Sequence, residues 1–555
     1  MTVSEILLKV LAAHGVRHLF GIPGDAINDV TDAIRKQDVI QFIGVRHEET
    51  GAFAASVQAK LSGQLAACMA TSGPGAIHLL NGLYDARLDH APVIAITGQV
   101  ATGFIGTEAH QEVRLERLFA DVAVYSQTIH TEAQVPDVLL EACRAAITHR
   151  GVAHISIPTD VSGRSVSFDD ERQLNSPTIG QISPVAANCD ATLALIEQSE
   201  RIVILAGIGC AGARDELLAF AEAVQAPIVR SLKAKEVIDD DHPMCAGGLG
   251  MLGGKPAVKA MDDCDLLIMV GTDFPYQEFY PKSAKTIQID LEPTRIGRRQ
   301  PVDVGLVTHA GPTLAALTEG VTQREDGSFL AEIQAAMKQW RESRDDAEIS
   351  DATPIAPPRV LKAVSDAAPD KTIFIADTGT STAWAARHLR VRPGQRFTLS
   401  GGLASMAIGL PGAIGAQLAY PDHRVIAVVG DGAFSMLIGD LVTAVRYELP
   451  VVIVVLNNAK LGFITLEQEA KGLPDWGTDI TNPDFAALAE ACGAVGMTVT
   501  DPSRLDAAMQ QALDADAPVV VNVFVDPDAL IMPPKIALGQ AMKFGMAKIR
   551  EAFGA

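Results

Sequence analysis

One stretch, "VVGDGAFSMLIGDLVTAVRYELPVVIVVLNN" from Val428 to Asn458, limits the architectures open to this chain more than any other. Its two ends are apolar runs without the polar alternation of a half-exposed strand. Both therefore read as strands buried on two faces, the pattern of a parallel sheet. The segment between them has the length of a helix and supplies the crossover that parallel neighbours need. At the C-terminal tip of the first run stands Asp431, between Gly430 and Gly432; at the tip of the second stand Asn457 and Asn458. Turn chemistry accounts for either tip alone, since Gly, Asp and Asn are common at strand ends. Their pairing 27 positions apart, across a full strand–helix–strand unit, favours another reading. Asp431 offers a carboxylate and Asn458 an amide oxygen, hard ligands suited to a magnesium ion shared with a diphosphate. Gly432 and Ala433 leave backbone N–H groups accessible at the start of a helix whose dipole favours anions.

The 555 residues are too many for one hydrophobic core. Short apolar runs alternate with helix-like segments along most of the length, as βαβ units do. "LAACMATSGPG" and "APVIAITG" come early, "RIVILAG", "DLLIMVG" and "AKTIQID" in the middle, and "TIFIAD", "RVIAVVG", "PVVIVVLNN" and "PVVVNVFV" late. Two looser stretches divide them: 166–189, with Pro, Ser and Asn, and 340–358, charged and then Pro-rich. The expected fold class is α/β, with three doubly wound parallel-sheet domains over 1–180, 185–340 and 355–530. A tail over 531–555 follows, in which Leu538, Met542, Met546, Ile549 and Phe553 draw one apolar stripe on a helix. Lys543, Lys548 and Arg550 accompany the stripe, as in helices that lie against anionic membranes or dock on their own protein.

A formal charge of −22 argues against a nucleic-acid partner, which needs a basic face. Seven scattered cysteines, none in a C-x-x-C pair, suit a reducing compartment without a zinc site or disulfide framework. The N-terminus enters an amphipathic pattern with no basic-then-apolar leader, and no uncharged apolar run is long enough to span a bilayer. The expected location is the cytoplasm, with peripheral contact at the inner face of the cell membrane open to the tail.

The Asp431-to-Asn458 unit resembles the thiamine diphosphate motif, and the likeness extends over nearly the whole chain. "RHEETGAFAA" resembles the segment that supplies the activating glutamate, here Glu48. "SGGLASMAIGLPGAIGAQ" resembles the segment that shapes the cofactor, with Ala404, Ser405 and Met406. "DTGTSTAWAARHL" resembles a diphosphate-contacting loop, with Gly379 and Thr380. "GIGCAGARDELLAFA", "GTDFPYQEFYP", "NNAKLGF" and "FSMLIGD" are similar to the bacterial quinone-dependent pyruvate oxidases. The resemblance implies a pyrimidine-binding first domain, an FAD-binding middle domain and a diphosphate- and magnesium-binding third. It assigns Leu249, Gly250, Met251, Leu252, Thr272 and Asp290 to FAD, and Asp431, Asn458 and Lys460 to the metal. Gly432, Ala433, Leu461 and Gly462 join the thiamine diphosphate contacts.

The implied reaction is oxidative decarboxylation of pyruvate, or a related 2-keto acid, to acetate and CO₂. Electrons pass through FAD to a quinone, in a homo-oligomer (dimer or tetramer). In that scheme Glu48 hydrogen-bonds the pyrimidine, the carbonyl of Ala404 receives its amino group, and Met406 holds the two rings bent. Phe463 and Glu467 stand near the reacting centre, with His110 and Gln111 from the substrate loop. The chain departs from the pattern at His110, where an aromatic residue usually precedes the Gln-Glu of "GTEAHQEV"; a different 2-keto acid would account for it. It also ends at Ala555, short of the lipid-binding extension expected of the quinone-linked enzymes. A carboligase resembling acetolactate synthase, with structural FAD, is the alternative. Against it, Ile464 to Gln468 stand where a tryptophan is expected. A non-catalytic binder is disfavoured because Glu48, Asp431 and Asn458 occur together.

Overall fold

The computed structural model describes residues 1–168, 174, 181–529, 531 and 533–535. The stripe residues of the expected C-terminal helix, Leu538 to Phe553, lie outside the described residues. Three six-stranded sheets follow one another along the chain. The first runs from strand His18–Gly21 to strand Val152–Pro158, and all its neighbouring strands are parallel. Counted from its own N-terminus, its strand order is 2-1-3-4-6-5. The third sheet, from Thr372–Ala376 to Val519–Phe524, is also parallel and has the same order. The middle sheet, from Ile202–Ala206 to Val304–Val307, is wound 3-2-1-4-5-6. That last order is the dinucleotide-binding one, with a crevice where the direction of winding reverses.

Continuous apolar strands put both faces of each sheet under helices, and the first and third units share the result. Phe20 and Phe53 of the first belong to one buried cluster with Ile414, Val429 and Phe434 of the third. Helix Glu48–Ser62 lies directly on helix Gly409–Ala419. A Cβ on Gly415 would stand 2.2 Å from the Ala54 carbonyl oxygen, so this approach requires glycine.

A buried charged cluster joins all three units. Lys60 Nζ lies 2.7 Å from Asp85 and 2.7 Å from Asp89, and donates to the Leu399 carbonyl at 3.0 Å. Lys233 of the middle unit reaches Asp89 at 3.1 Å, and Asp89 accepts from the Gly401 amide at 2.9 Å. The segment that leads to Ala404 and Met406 is thus fixed by the other two units.

One linker reading is corrected. The charged half of 340–358 is the end of a 21-residue helix, Ser328–Glu348. Its buried apolar residues Phe329, Leu330, Ile333 and Met337 lie in the first half, so the second half carries little apolar periodicity. Its charges have partners instead: Glu348 is buried between His388 (2.9 Å) and Arg390 (2.8 Å). Among the described residues, no helix is long and apolar enough to cross a membrane.

Candidate active site

Strand Arg424–Gly430 hands the chain to helix Asp431–Met436, and its parallel neighbour Val452–Asn457 ends beside it, with Gly430 opposite Leu456. Parallel pairing therefore sets Asp431 and Asn458 on one sheet edge. Asp431 is 2% exposed. Its Oδ2 accepts from the Ala459 amide (2.6 Å) and from Asn482 Nδ2 (2.7 Å), and its Oδ1 from the Gly432 amide (2.9 Å). Burial pushes its carboxyl above the ordinary range, against the pull of these donors. A buried carboxylate in that state suits a cation, so the residues fit a metal-held diphosphate.

Asn458 Oδ1 accepts from the Lys460 amide at 3.2 Å. Lys460 pairs through its ammonium with Asp475 at 2.7 Å; an ammonium has no lone pair, so the group that Lys460 can offer a metal is its backbone carbonyl. Met406 and Leu461 converge on Gly432, where a Cβ would stand 3.7 Å from the Met406 methyl and 3.1 Å from Leu461 Cδ2. Ile480 joins them at 3.4 Å. Ala404 (φ 56°) and Ala407 (φ 75°) are both left-handed, costing about 1–2 kcal/mol each. Strain of this kind persists where the surroundings dictate a conformation, commonly at functional sites. Gly379, with φ 128°, precedes helix Thr380–His388, and Thr380 Cγ2 is 3.3 Å from a Cβ on Gly462. Thr380, Asn458, Lys460 and Gly462 also line a cavity of about 390 Å³, together with Leu466 of the helix that carries Phe463 and Glu467. Phe463 is half-buried against the third unit's core, and Glu467 is exposed.

Two residues missed in the sequence complete this edge. Asn482 bridges Asp431 and Asn457, the latter at 3.0 Å. Asp377, at the end of strand Thr372–Ala376, accepts from the amides of Thr378 (2.7 Å) and Gly409 (2.9 Å). Burial pushes its carboxyl up to about 7. Only the "DT" at a strand end hinted at it.

Glu48 opens helix Glu48–Ser62 in the first unit and is 8% exposed. Its Oε2 is 3.0 Å from His78 Nδ1, and His78 stacks on His47 with ring centroids 4.4 Å apart. His78 follows the "SGPG" turn and has no signature in the sequence that marks it. The other carboxyl oxygen, Oε1, would be 3.0 Å from a Cβ on Gly75. Next to this group Asn81 Nδ2 joins Glu49 (2.6 Å) to Ser405 (3.0 Å), linking the first and third units within one chain. Among the described residues, the polar partner of Glu48 is His78; none is a residue of the third unit. His110 is exposed, and Gln111 is left-handed (φ 61°) with its carbonyl oxygen 2.9 Å from a Cβ on Gly73.

The residues assigned to FAD gather at the strand ends of the middle sheet. Leu249, Thr272 and Asp290 are buried, Gly250 is left-handed, and Met251 is exposed. Leu252 packs against the third unit's core, whose Arg387 donates to the Leu252 carbonyl at 3.2 Å. Strands Ile202–Ala206 and Leu266–Val270 pair at the reversal of winding. Beyond them a Cβ on Gly207 would fall 2.0 Å from the Gly271 carbonyl oxygen, so backbone alone fills the floor of the crevice. Asp290 Oδ1 accepts from the Glu292 amide at 2.9 Å, while its buried Oδ2 has no partner. A buried acceptor without a donor is costly, and a ligand hydroxyl would satisfy it. These residues fit a dinucleotide cofactor.

The sequence matches three families of thiamine pyrophosphate enzyme domains: the N-terminal TPP binding domain over residues 1–118, the central domain over 189–317, and the C-terminal TPP binding domain over 377–523. It is 42% identical, over 100% of this chain and 96% of the relative, to YdaP of Bacillus subtilis, whose name describes it as thiamine pyrophosphate-containing. It is 35% identical to a pyruvate oxidase of Lactiplantibacillus plantarum, over 96% of this chain and 90% of that one. It is 32% identical to the acetolactate synthase isozyme 2 large subunit of Escherichia coli, over 95% and 96%.

Proposed function

This chain belongs to the thiamine pyrophosphate enzymes, and from that premise we propose that it oxidatively decarboxylates pyruvate or a related 2-keto acid to acetate and CO₂. FAD is the first electron acceptor and a quinone the final one. The observation that carries the reading is the middle unit's crevice: a dinucleotide-type winding, a glycine floor and an acceptor-only Asp290 Oδ2. Arg387 and Leu252 join the middle unit to the third, a contact that supports electron transfer between a flavin and the thiamine edge.

When bound, thiamine diphosphate supplies an electron sink for the pair released with CO₂, and FAD supplies an acceptor for it. The chain's own residues do the rest. Asp431 and Asn458 hold a magnesium ion with the Lys460 carbonyl, and the helix start at Gly432 and Ala433 receives the diphosphate. Met406, Leu461 and Ile480 form an apolar wall that fixes ring orientation. The left-handed turn at Ala404 directs its carbonyl as an acceptor. Glu48, with one carboxyl oxygen occupied by His78, offers the other as a hydrogen-bond partner to the pyrimidine. Among the described residues Glu48 pairs with His78 and with no polar group of the third unit, which supports a complete site that takes Glu48 from one copy and the metal edge from another. The assembly is then a homo-oligomer.

Anaerobic mixing of the cofactor-loaded protein with pyruvate tests the proposal. Bleaching of the flavin absorbance at a catalytic rate supports it. Formation of acetolactate without bleaching refutes it in favour of the carboligase reading, which the similarity to acetolactate synthases keeps in view.

A further inference from the structure

The loop from Val100 to Arg114 folds around a single side chain. Its start is pinned by Asp160, which accepts from the Thr102 amide and hydroxyl at 2.7 Å each. Its end is pinned by Gln99 Nε2, which donates to the Val113 carbonyl at 2.9 Å. Between these anchors the Glu112 carboxylate turns inward. One oxygen accepts from the Gly106 amide and the other from the Ala109 amide at 3.1 Å. The Gly106 amide, with those of Ala109, Glu108 and Thr107, holds the Glu112 carboxyl below its ordinary range. Around this hub two side-chain-bearing residues adopt left-handed backbone, Glu108 (φ 59°) and Gln111 (φ 61°), a conformation disfavoured for both.

The loop is also placed against the candidate site. A Cβ on Gly73 would stand 2.9 Å from the Gln111 carbonyl oxygen, and two residues on, a Cβ on Gly75 would stand 3.0 Å from the Glu48 carboxyl. His110 and Gln111 therefore stand on the rim of the turn that walls in Glu48.

We propose that Glu112 is a positioning residue for the substrate: its carboxylate imposes the left-handed turns that present His110 and Gln111 to the Glu48 cleft. This rests on the 2-keto acid reading given above. Neutralising Glu112 leaves an amide with only one acceptor oxygen for amides that now use two, so the loop relaxes toward ordinary backbone. The fold is expected to survive, because the loop is largely exposed and both of its anchors remain.

The test compares wild type, Glu112→Gln and the double variant Glu108→Gly/Glu112→Gln as holoenzymes. Two quantities are read: kcat/KM for pyruvate by flavin bleaching, and hydrogen–deuterium exchange at C2 of bound thiamine diphosphate without substrate. The expected result is a loss of at least tenfold in kcat/KM for Glu112→Gln, with exchange and thermal midpoint unchanged. The double variant should recover part of that loss, because glycine at 108 adopts the left-handed turn freely. Unchanged kcat/KM in Glu112→Gln overturns the proposal. So does a parallel fall in exchange, which would mean general damage to the first unit. No bleaching in the wild type would sink the oxidase reading, and this inference with it; bleaching insensitive to Glu112 would sink this inference alone.

Discussion

Glu48 illustrates how much one side chain is asked to do. It sits at a helix start, where a carboxylate is favoured by the dipole, and shares one oxygen with His78. Glu48→Gln preserves that shape but removes the charge. It is expected to slow C2 exchange on the order of 10²–10⁴-fold, the usual range for a lost acid–base partner, with cofactor affinity nearly intact. An unchanged exchange rate would remove Glu48 from the chemistry. Asp377 makes a different kind of prediction. Burial raises its carboxyl to about 7, well above the ordinary value that it regains on unfolding. The folded chain therefore takes up a proton there before the unfolded chain does. The cost of its charge is fully present above about pH 7 and fades as the pH falls toward the unfolded value. Asp377→Asn should gain melting temperature over wild type at pH 8, and the gain should shrink by pH 5, by the equivalent of about 1–2 kcal/mol. A gap independent of pH would mean that the carboxyl titrates normally. At His110, exposed on the Glu112-centred loop, His110→Phe should shift kcat/KM toward pyruvate over a more polar 2-keto acid by about 1 kcal/mol. No shift would leave His110 a bystander.

At the scale of elements, the function rests on where parallel strands end. Asp431 supplies the charge among the side chains proposed to hold the metal, and it is buried. Asp431→Ala should abolish magnesium-dependent retention of thiamine diphosphate, while FAD stays bound in the middle unit; wild-type affinity in a magnesium titration would refute this. The two strand tips were legible in the sequence because continuous apolar runs and their Gly, Asp and Asn endings are local signals. So was the α/β class, for the same reason. The pairing order of strands was not legible, because it is decided by contacts far apart in the chain. Nor was the helix through 340–348, whose charges find partners such as His388 and Arg390 only after folding. His78 and Asn482 escaped for a related reason. A lone His or Asn gains meaning only from the neighbour it meets: Glu48 30 residues away, and Asp431 51 residues away.

For the whole molecule, the proposal that Glu48 of one copy completes the metal edge of another has a direct test. A protein carrying Glu48→Gln, co-expressed with one carrying Asp431→Ala, should regain about a quarter of wild-type activity by random pairing, since one site in each mixed dimer is intact. No recovery would place each site within a single chain. The junction of Lys60, Asp85, Asp89 and Lys233 explains how such a site stays aligned. It ties the segment that leads to the strained Ala404 to both other units. The common winding of the outer two sheets has a further consequence. Helix Glu48–Ser62 and helix Gly409–Ala419 occupy equivalent places, each between the second and third strands of its sheet, and they pack on each other. Equivalent helices thus meet face to face inside one polypeptide, as the two halves of a self-complementary interface would, with a differently wound unit between them in the chain.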